Sequence, residues 1–267
     1  MPLRIVQSKQ NGRLKELRRA LTRPGRDGSN LAAIEGPKLI EEALLAGLRM
    51  PTVFVSDDAQ DLLEGLRLPE YTEVLVMPRE LLAPALATET PQPIAALIEQ
   101  PSWSWPHLLG KQKNSAPLIL ALAGLQDPGN LGTIVRSAEA FGATGIVCLP
   151  GTVSAWNPKA VRASAGSLFR LPLIDTSIDE CVAQLRRAKI LLLTTAVHGA
   201  APVDQAELAG PVALLIGNEG NGVPEAVAAH AGAAISIPCP GPVESLNASI
   251  AASILLYEAA RQRGAKP

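Results

Sequence analysis

Residues 214–227, LLIGNEGNGVPEAV, set Gly217, Gly220 and Gly222 around Glu219 directly after an apolar run. A plain turn needs one or two such residues. This density suits main chain that must pass close to something while a carboxylate stands beside it. A second stretch, LQDPGNLGTIVRSAEAFGA (residues 125–143), turns at Asp127-Pro128-Gly129 and leads into an amphipathic helix over 131–141. Asn130 is placed to cap that helix by accepting from first-turn amides. Arg136 falls about 140° around the helix from Leu131, so it points away from the buried stripe of Leu131, Ile134, Val135 and Ala138. A third stretch, ISIPCPGPVESLNASIAASILLYEAARQR (residues 235–263), stiffens a loop with Pro238, Pro240 and Pro242 and offers Ser245 or Asn247 as a cap for a final helix. Taken singly, Asn130 reads as a cap, Arg136 as a surface charge and the glycines as a turn.

The spacing of the glycines is neither GxGxxG nor a phosphate loop, because no GK[ST] follows. His107, His198 and His230 are scattered, so no metal site is expected. Cys148, Cys181 and Cys239 lie far apart without a CxxC pair, which argues against a disulfide framework and for a reducing, cytoplasmic setting.

These stretches need a scaffold. TVFVS, EVLVM and PIAALIE in the first hundred residues alternate with short helical patterns, beginning with a basic helix over 8–21 and another opened by Pro37. Residues 1–100 thus read as a small α/β domain. QPSWSWPHLLGKQKNSAP reads as a linker, with Trp103 and Trp105 docking it onto a domain, and the linker is set at residues 101–116. From 117 to 267 the pattern strengthens. LILALAGL, GIVCL, LPLI, ILLLTTAV, VALLIG and AISIP are apolar runs separated by helices, the mark of a mostly parallel sheet covered on both faces. In such a sheet ligands bind at the carboxyl ends of the strands, where all three stretches fall.

The chain of 267 residues is 47% apolar and 18% charged, enough to build substantial cores. Its formal net charge of −1 hides an asymmetry: residues 1–26 carry eight Lys and Arg against Glu16 alone. A basic head suits a polyanionic partner. No leader is expected from the charged N-terminus, and Leu246 to Ala260, at 15 residues and interrupted by Asn247, Ser249 and Ser253, is too short to span a bilayer. A membrane partner is therefore not expected.

In their order and text, the three stretches resemble the motifs of the SpoU, or TrmH-like, branch of the SPOUT methyltransferases: Asn130, Gly132 and Arg136, then Ile216-Gly217-Asn218-Glu219-Gly220, then Ser245-Leu246-Asn247. NPKAVRASAGSLFRLP (157–172) is also similar to that family, and AIEGPKLIEEALLAG resembles the ribosomal-protein-like domain that often precedes it. The resemblance implies an enzyme that transfers methyl from S-adenosyl-L-methionine to a ribose 2′-hydroxyl of structured RNA, with rRNA favoured over tRNA. It implies a homodimer and a deep trefoil knot, which general chain rules argue against. Gly217, Ile237 and Leu246 then correspond to the cofactor pocket. Asn130, Arg136, Glu219, Ser245 and Asn247 correspond to the catalytic and substrate-positioning set. Asn130 and Arg136, six apart, stand about 240° around one helix. A site built across a dimer interface resolves that divergence.

Two other classes compete. A non-catalytic RNA-binding or ribosome-assembly protein on the same scaffold is opposed by the intact motif residues. A nicotinamide dehydrogenase is opposed by the missing dinucleotide fingerprint.

Overall fold

The computed structural model describes residues 3–22, 30–86, 88–110, 116–196, 199–218, 220, 222–243 and 245–264. The elements begin with β1 (Leu3–Ile5), α1 (Gly12–Thr22), β2 (Leu31–Glu35), α2 (Pro37–Leu45), β3 (Thr52–Ser56), β4 (Glu73–Met77), α3 (Arg79–Leu82) and β5 (Ile94–Glu99). Then come α4 (Trp105–Leu108), β6 (Leu118–Leu122), α5 (Pro128–Ala140), β7 (Gly145–Cys148), α6 (Pro158–Ser164), β8 (Leu173–Asp175) and α7 (Ile178–Arg187). The chain closes with β9 (Leu191–Thr195), β10 (Ala201–Pro202), β11 (Val212–Ile216), α8 (Glu225–Ala228), β12 (Ala233–Ser236) and α9 (Ala248–Gln262). Two compact units result: Met1–Ser102 with Trp156–Arg170, and Trp103–Ala155 with Leu171–Pro267.

The first unit holds a five-stranded sheet in the order β1-β4-β3-β5-β2. β1, β4 and β3 are mutually parallel, while β5 runs antiparallel to both β3 and β2. Period-two alternation puts Phe54, Leu75, Met77, Ala95 and Leu97 in one core with Leu14, Leu17 and Leu21 of α1. The intervening Val53, Val55, Val74, Ile94 and Ala96 are buried as well, so both faces of the sheet are covered. α1 starts at Gly12 rather than at residue 8, because the Asn11 side chain takes the Leu14 amide at 3.2 Å and so caps the helix there. Its exposed Lys15 and Arg19 lie outside the core stripe, with Lys9 in the turn before it.

The segment Trp156–Arg170, which follows β7 in the chain, is fastened to α2 of this first unit. Arg170 Nη1 pairs with Glu42 Oε2 at 2.7 Å. That guanidinium hydrogen bond, with the neighbouring Lys38 charge, holds the Glu42 carboxyl below the usual carboxylate range. Gly166, at φ +90°, sits where a Cβ would lie 2.7 Å from the Glu42 Cβ. Only glycine relieves both the backbone and the contact.

The second unit holds a seven-stranded sheet, β10-β12-β9-β11-β6-β7-β8, with every pair parallel. All residues of β6 and β11 are buried. Strands whose both faces are enclosed must be apolar at consecutive positions, which is why these run LILAL and VALLI. Ile119, Ala121, Ala213 and Leu215 share a core with Cys181 and Leu185 of α7, Leu108 of α4 and Val227 of α8. α5 packs against α9. Trp105 leans on that same core, and Trp103 meets His107 edge-on at 5.3 Å. Residues 111–115 of the expected linker lie outside the described residues.

At the end of α9, Arg263 is a clamp. Its guanidinium donates to the carbonyls of Ala116, Pro117, Leu208 and Gly210, fixing the C-terminal end of α9 beside the segments that enter β6 and β11.

Candidate functional site

A cavity of about 510 Å³ opens at the carboxyl ends of β9, β11 and β12. This is where parallel α/β sheets place ligands, and the volume falls in the usual range for small-molecule sites, about 300–1,000 Å³. Its walls come from three segments and one helix: Thr195 and Ala196 at the end of β9, Gly217, Asn218, Gly220 and Gly222 after β11, Ile235–Cys239 at the end of β12, and Ala248, Ala251 and Leu255 of α9. Ser245 and Leu246 complete the rim.

The glycine loop is a tight reversal. The Asn218 amide donates to the Gly222 carbonyl and the Gly222 amide to the Asn218 carbonyl, each at 2.9 Å. A Cβ on Gly217 would lie 2.1–2.2 Å from Gly222 and Val223 main-chain atoms. The missing side chain of Gly217 therefore makes room for the chain's own return. Gly222 has a second reason, φ +63°, a left-handed conformation that side chains disfavour.

Asn218 staples this loop from both sides. Its Nδ2 donates to the Gly124 carbonyl at 2.9 Å, and its Oδ1 accepts from the Gly220 amide at 2.8 Å. Gly124 ends the run after β6, so the glycine loop is tied to the turn that launches α5. Asp127 caps α5, its Oδ1 accepting from the Asn130 amide at 2.8 Å. The cap expected at Asn130 thus lies three residues earlier, at Asp127, and Pro128 takes the first helical position, where no amide is needed. This releases the Asn130 side chain for other work: its Oδ1 accepts from Asn247 Nδ2 at 3.1 Å. Asn247 is itself the cap of α9, its Oδ1 accepting from the amides of Ser249 at 2.9 Å and Ile250 at 3.3 Å.

Of the residues singled out from sequence, Gly217, Ile237, Ser245 and Leu246 line the cavity. Asn247 follows Leu246 directly and is bonded to Asn130, but neither of the two lines the cavity. Arg136 is exposed on α5 and, among the described residues, has no hydrogen-bond or ion-pair partner. Glu219 lies outside the described residues. Sequence reasoning passed over Asn218 as a brace and over Thr195, Ser236 and Cys239 as wall residues. The signal for the wall was present, since each sits at or just past the carboxyl end of a strand.

The donor set suits an organic ligand of mixed polarity. Apolar Ile237 and Leu246 line the cavity together with the glycine loop and the hydroxyl-bearing Thr195, Ser236 and Ser245. Among the described residues no group of His, Cys, Asp and Glu could hold a metal. Among the described residues no helix is long and apolar enough to cross a membrane.

A two-unit chain with a small mixed-sheet domain, a parallel sheet and a strand-end cavity closed by a glycine loop defines an α/β ligand-binding enzyme scaffold. The chain belongs to the SpoU rRNA Methylase family, which matches residues 117–257. Residues 11–96 match an MRM3-like substrate binding domain. Among relatives, the 23S rRNA (guanosine(2553)-2′-O)-methyltransferase RlmP of Bacillus subtilis is 31% identical over 96% of this chain and 98% of its own. The 23S rRNA (uridine(2479)-2′-O)-methyltransferase of Streptomyces viridochromogenes is 35% identical over 75% of this chain and 71% of its own. The crystal structure of the SpoU methyltransferase AviRb from Streptomyces viridochromogenes with AdoMet superposes with a TM-score of 0.83 at 30% identity, covering 97% of this chain and 100% of that one. An AdoMet-bound rRNA methyltransferase from Sinorhizobium meliloti gives the same TM-score at 30% identity, covering 97% and 98%.

Proposed function

We propose that this protein transfers a methyl group from S-adenosyl-L-methionine to a ribose 2′-hydroxyl of rRNA. One observation carries the reading: the cavity formed by the glycine loop and the Ser245–Leu246 rim adjoins the Asn130–Asn247 pair. The family and its AdoMet-bound relatives support it. Gly217, Ile237 and Leu246 hold the cofactor, whose sulfonium supplies an already activated methyl.

The protein's task is then to align the attacking oxygen and to help its proton leave. Asn130, Glu219, Ser245 and Asn247 position the ribose. Arg136 steadies the alkoxide developing on the 2′-oxygen, and the proton passes to an RNA phosphate or to water. A guanidinium, which keeps its proton in proteins, does not serve well as a literal base.

The site belongs to a homodimer. Arg136 and Asn130 diverge on α5, while Ile250 and Tyr257 of the adjoining α9 are 52% and 57% exposed. A second copy covering that face brings one protomer's Arg136 toward its partner's cavity. The trefoil knot of the C-terminal sheet and a cytoplasmic workplace belong to the same proposal. The basic α1 face with Lys9, Lys15 and Arg19 meets RNA phosphates, so binding weakens as salt rises.

The experiment is incubation with labelled S-adenosyl-L-methionine and total RNA, followed by nuclease digestion. Label on ribose oxygens supports the proposal; label confined to base carbons or nitrogens refutes it.

A further inference from the structure

Away from the cavity, in the first unit, a buried carboxylate is only half satisfied. Glu35 ends the edge strand β2 and is 8% exposed. Its Oε1 accepts from Thr88 Oγ1 at 2.7 Å and from the Gln92 amide at 2.8 Å. Its Oε2 has no partner among the described residues and is screened from solvent. Buried oxygens left without a donor are rare in native proteins, and each asks for an explanation.

Glu35 lines a cleft of about 460 Å³ together with Thr88, Glu89, Thr90, Gln92 and Arg162. All six belong to the first unit, Arg162 through α6. Glu89, Thr90 and Arg162 are exposed, so their side chains can turn aside to admit a guest. An ionised carboxylate only accepts, so the missing partner is a donor. A metal ion or an ammonium fits poorly, since it would meet the Arg162 cation in the same cleft. A neutral donor that carries its own phosphate suits both Glu35 and Arg162.

We infer that this cleft takes an unstacked guanine of the RNA substrate, with Glu35 Oε2 accepting from its Watson–Crick edge and Arg162 meeting the flanking phosphate. The inference rests on the reading of the protein as an RNA methyltransferase. Guanine presents two neighbouring donors, N1–H and N2–H2, and the cleft offers further acceptors in the Thr88 hydroxyl and the Glu89 carboxylate. Single-stranded bases in loops and bulges are commonly read this way, through splayed edges and buried acceptors. Phosphate contacts position the strand and base contacts select the sequence. The first unit thereby does more than attract charge: it selects among RNA structures by one base.

The test uses the full chain and RNA hairpins with a single bulged guanine, inosine, cytosine, adenine or uracil, titrated by fluorescence anisotropy at one salt concentration. Guanine should bind tightest, with uracil weaker by roughly tenfold or more and inosine, lacking the 2-amino group, in between. Glu35→Gln keeps an acceptor for the Gln92 amide but turns the other atom into a donor. It should bring guanine down to the level of uracil while leaving uracil unchanged. Arg162→Ala should weaken all five hairpins by the same factor. Equal affinity for all bases, or a Glu35→Gln loss that is the same for every base, overturns the inference. If Glu35→Gln melts below the assay temperature, the wild-type base series decides alone. Methyl transfer by the wild type is read in parallel: transfer without base preference sinks only the guanine site, and base preference without transfer sinks only the enzymatic reading.

Discussion

Asn247 Nδ2 donates to Asn130 Oδ1 at 3.1 Å, joining positions 117 apart in sequence. The orientation of the Asn247 amide follows from its other bonds. Its oxygen is already engaged by the Ser249 amide and hydroxyl and by the Ile250 amide, so the nitrogen must face Asn130. One residue thus caps the last helix and sets the side chain at the start of α5. Asn247→Asp keeps the cap but aims an acceptor at the Asn130 oxygen. Its melting temperature should stay near wild type while methyl transfer falls at least about tenfold, the effect of losing roughly 1.4 kcal/mol of positioning. Asn247→Ala, by contrast, should also lose about 1 kcal/mol of stability with the cap.

Gly217→Ala tests the doubled-back loop. The added methyl group would overlap main chain at 2.1–2.2 Å, and main chain cannot rotate aside as a flexible side chain can. Strain of about 1–3 kcal/mol should appear as weaker S-adenosyl-L-methionine binding, roughly 5- to 150-fold by calorimetry. Wild-type affinity would show that the loop is not the cofactor's wall.

Arg136→Ala should leave cofactor binding unchanged, because Arg136 is exposed on α5 and does not line the cavity. Turnover should fall by about 10²–10³, the size of a lost electrostatic contact at a developing oxyanion. Single-turnover kinetics beside calorimetry separates the two. Full activity removes Arg136 from the mechanism.

Arg263→Met tests the clamp. Four carbonyls, those of Ala116, Pro117, Leu208 and Gly210, lose a charged donor. Hydrogen bonds to charged groups contribute about 1.5–3 kcal/mol each where they are made well, though not additively. A loss of at least about 2 kcal/mol by denaturant unfolding is expected, with cofactor affinity per folded molecule unaltered.

Acid should loosen α9 through Glu258. Hydrogen bonds from Arg261, then from Gln262, hold its carboxyl down to about 2 from the usual 4.5. The folded value lies below the unfolded one, so the stabilisation is full above about pH 4.5 and fades as pH falls toward 2. Glu258→Gln should therefore be less stable than wild type at pH 7, and the gap should close across that window. A gap that is constant with pH would assign Glu258 a packing role only.

The amino-acid order by itself determined much of the architecture. Consecutive apolar residues in LILAL and VALLI announced strands buried on both faces, and alternation with helical stripes announced a parallel sheet. The same local rules placed the three motif stretches just past strand ends, where such a sheet binds ligands, while Gly217, Ile237 and Leu246 were singled out within them only by the family resemblance. Periodicity is a property of neighbours along the chain, which is why it survives in one dimension. Choices between competing neighbours were less legible. Asp127 and Asn130 are both good caps, and only the three-dimensional path of the turn decided that Asp127 takes the amide and Asn130 faces Asn247.

What tertiary structure alone decided are contacts between residues far apart in sequence. No spacing rule links Asn218 to Gly124, Arg263 to Ala116, or Arg170 to Glu42. Nor does any local pattern leave one oxygen of Glu35 without a donor. Such pairings depend on which surfaces the packed strands and helices bring within 3 Å or so, and hydrogen bonds are too short-ranged to be written into a local pattern.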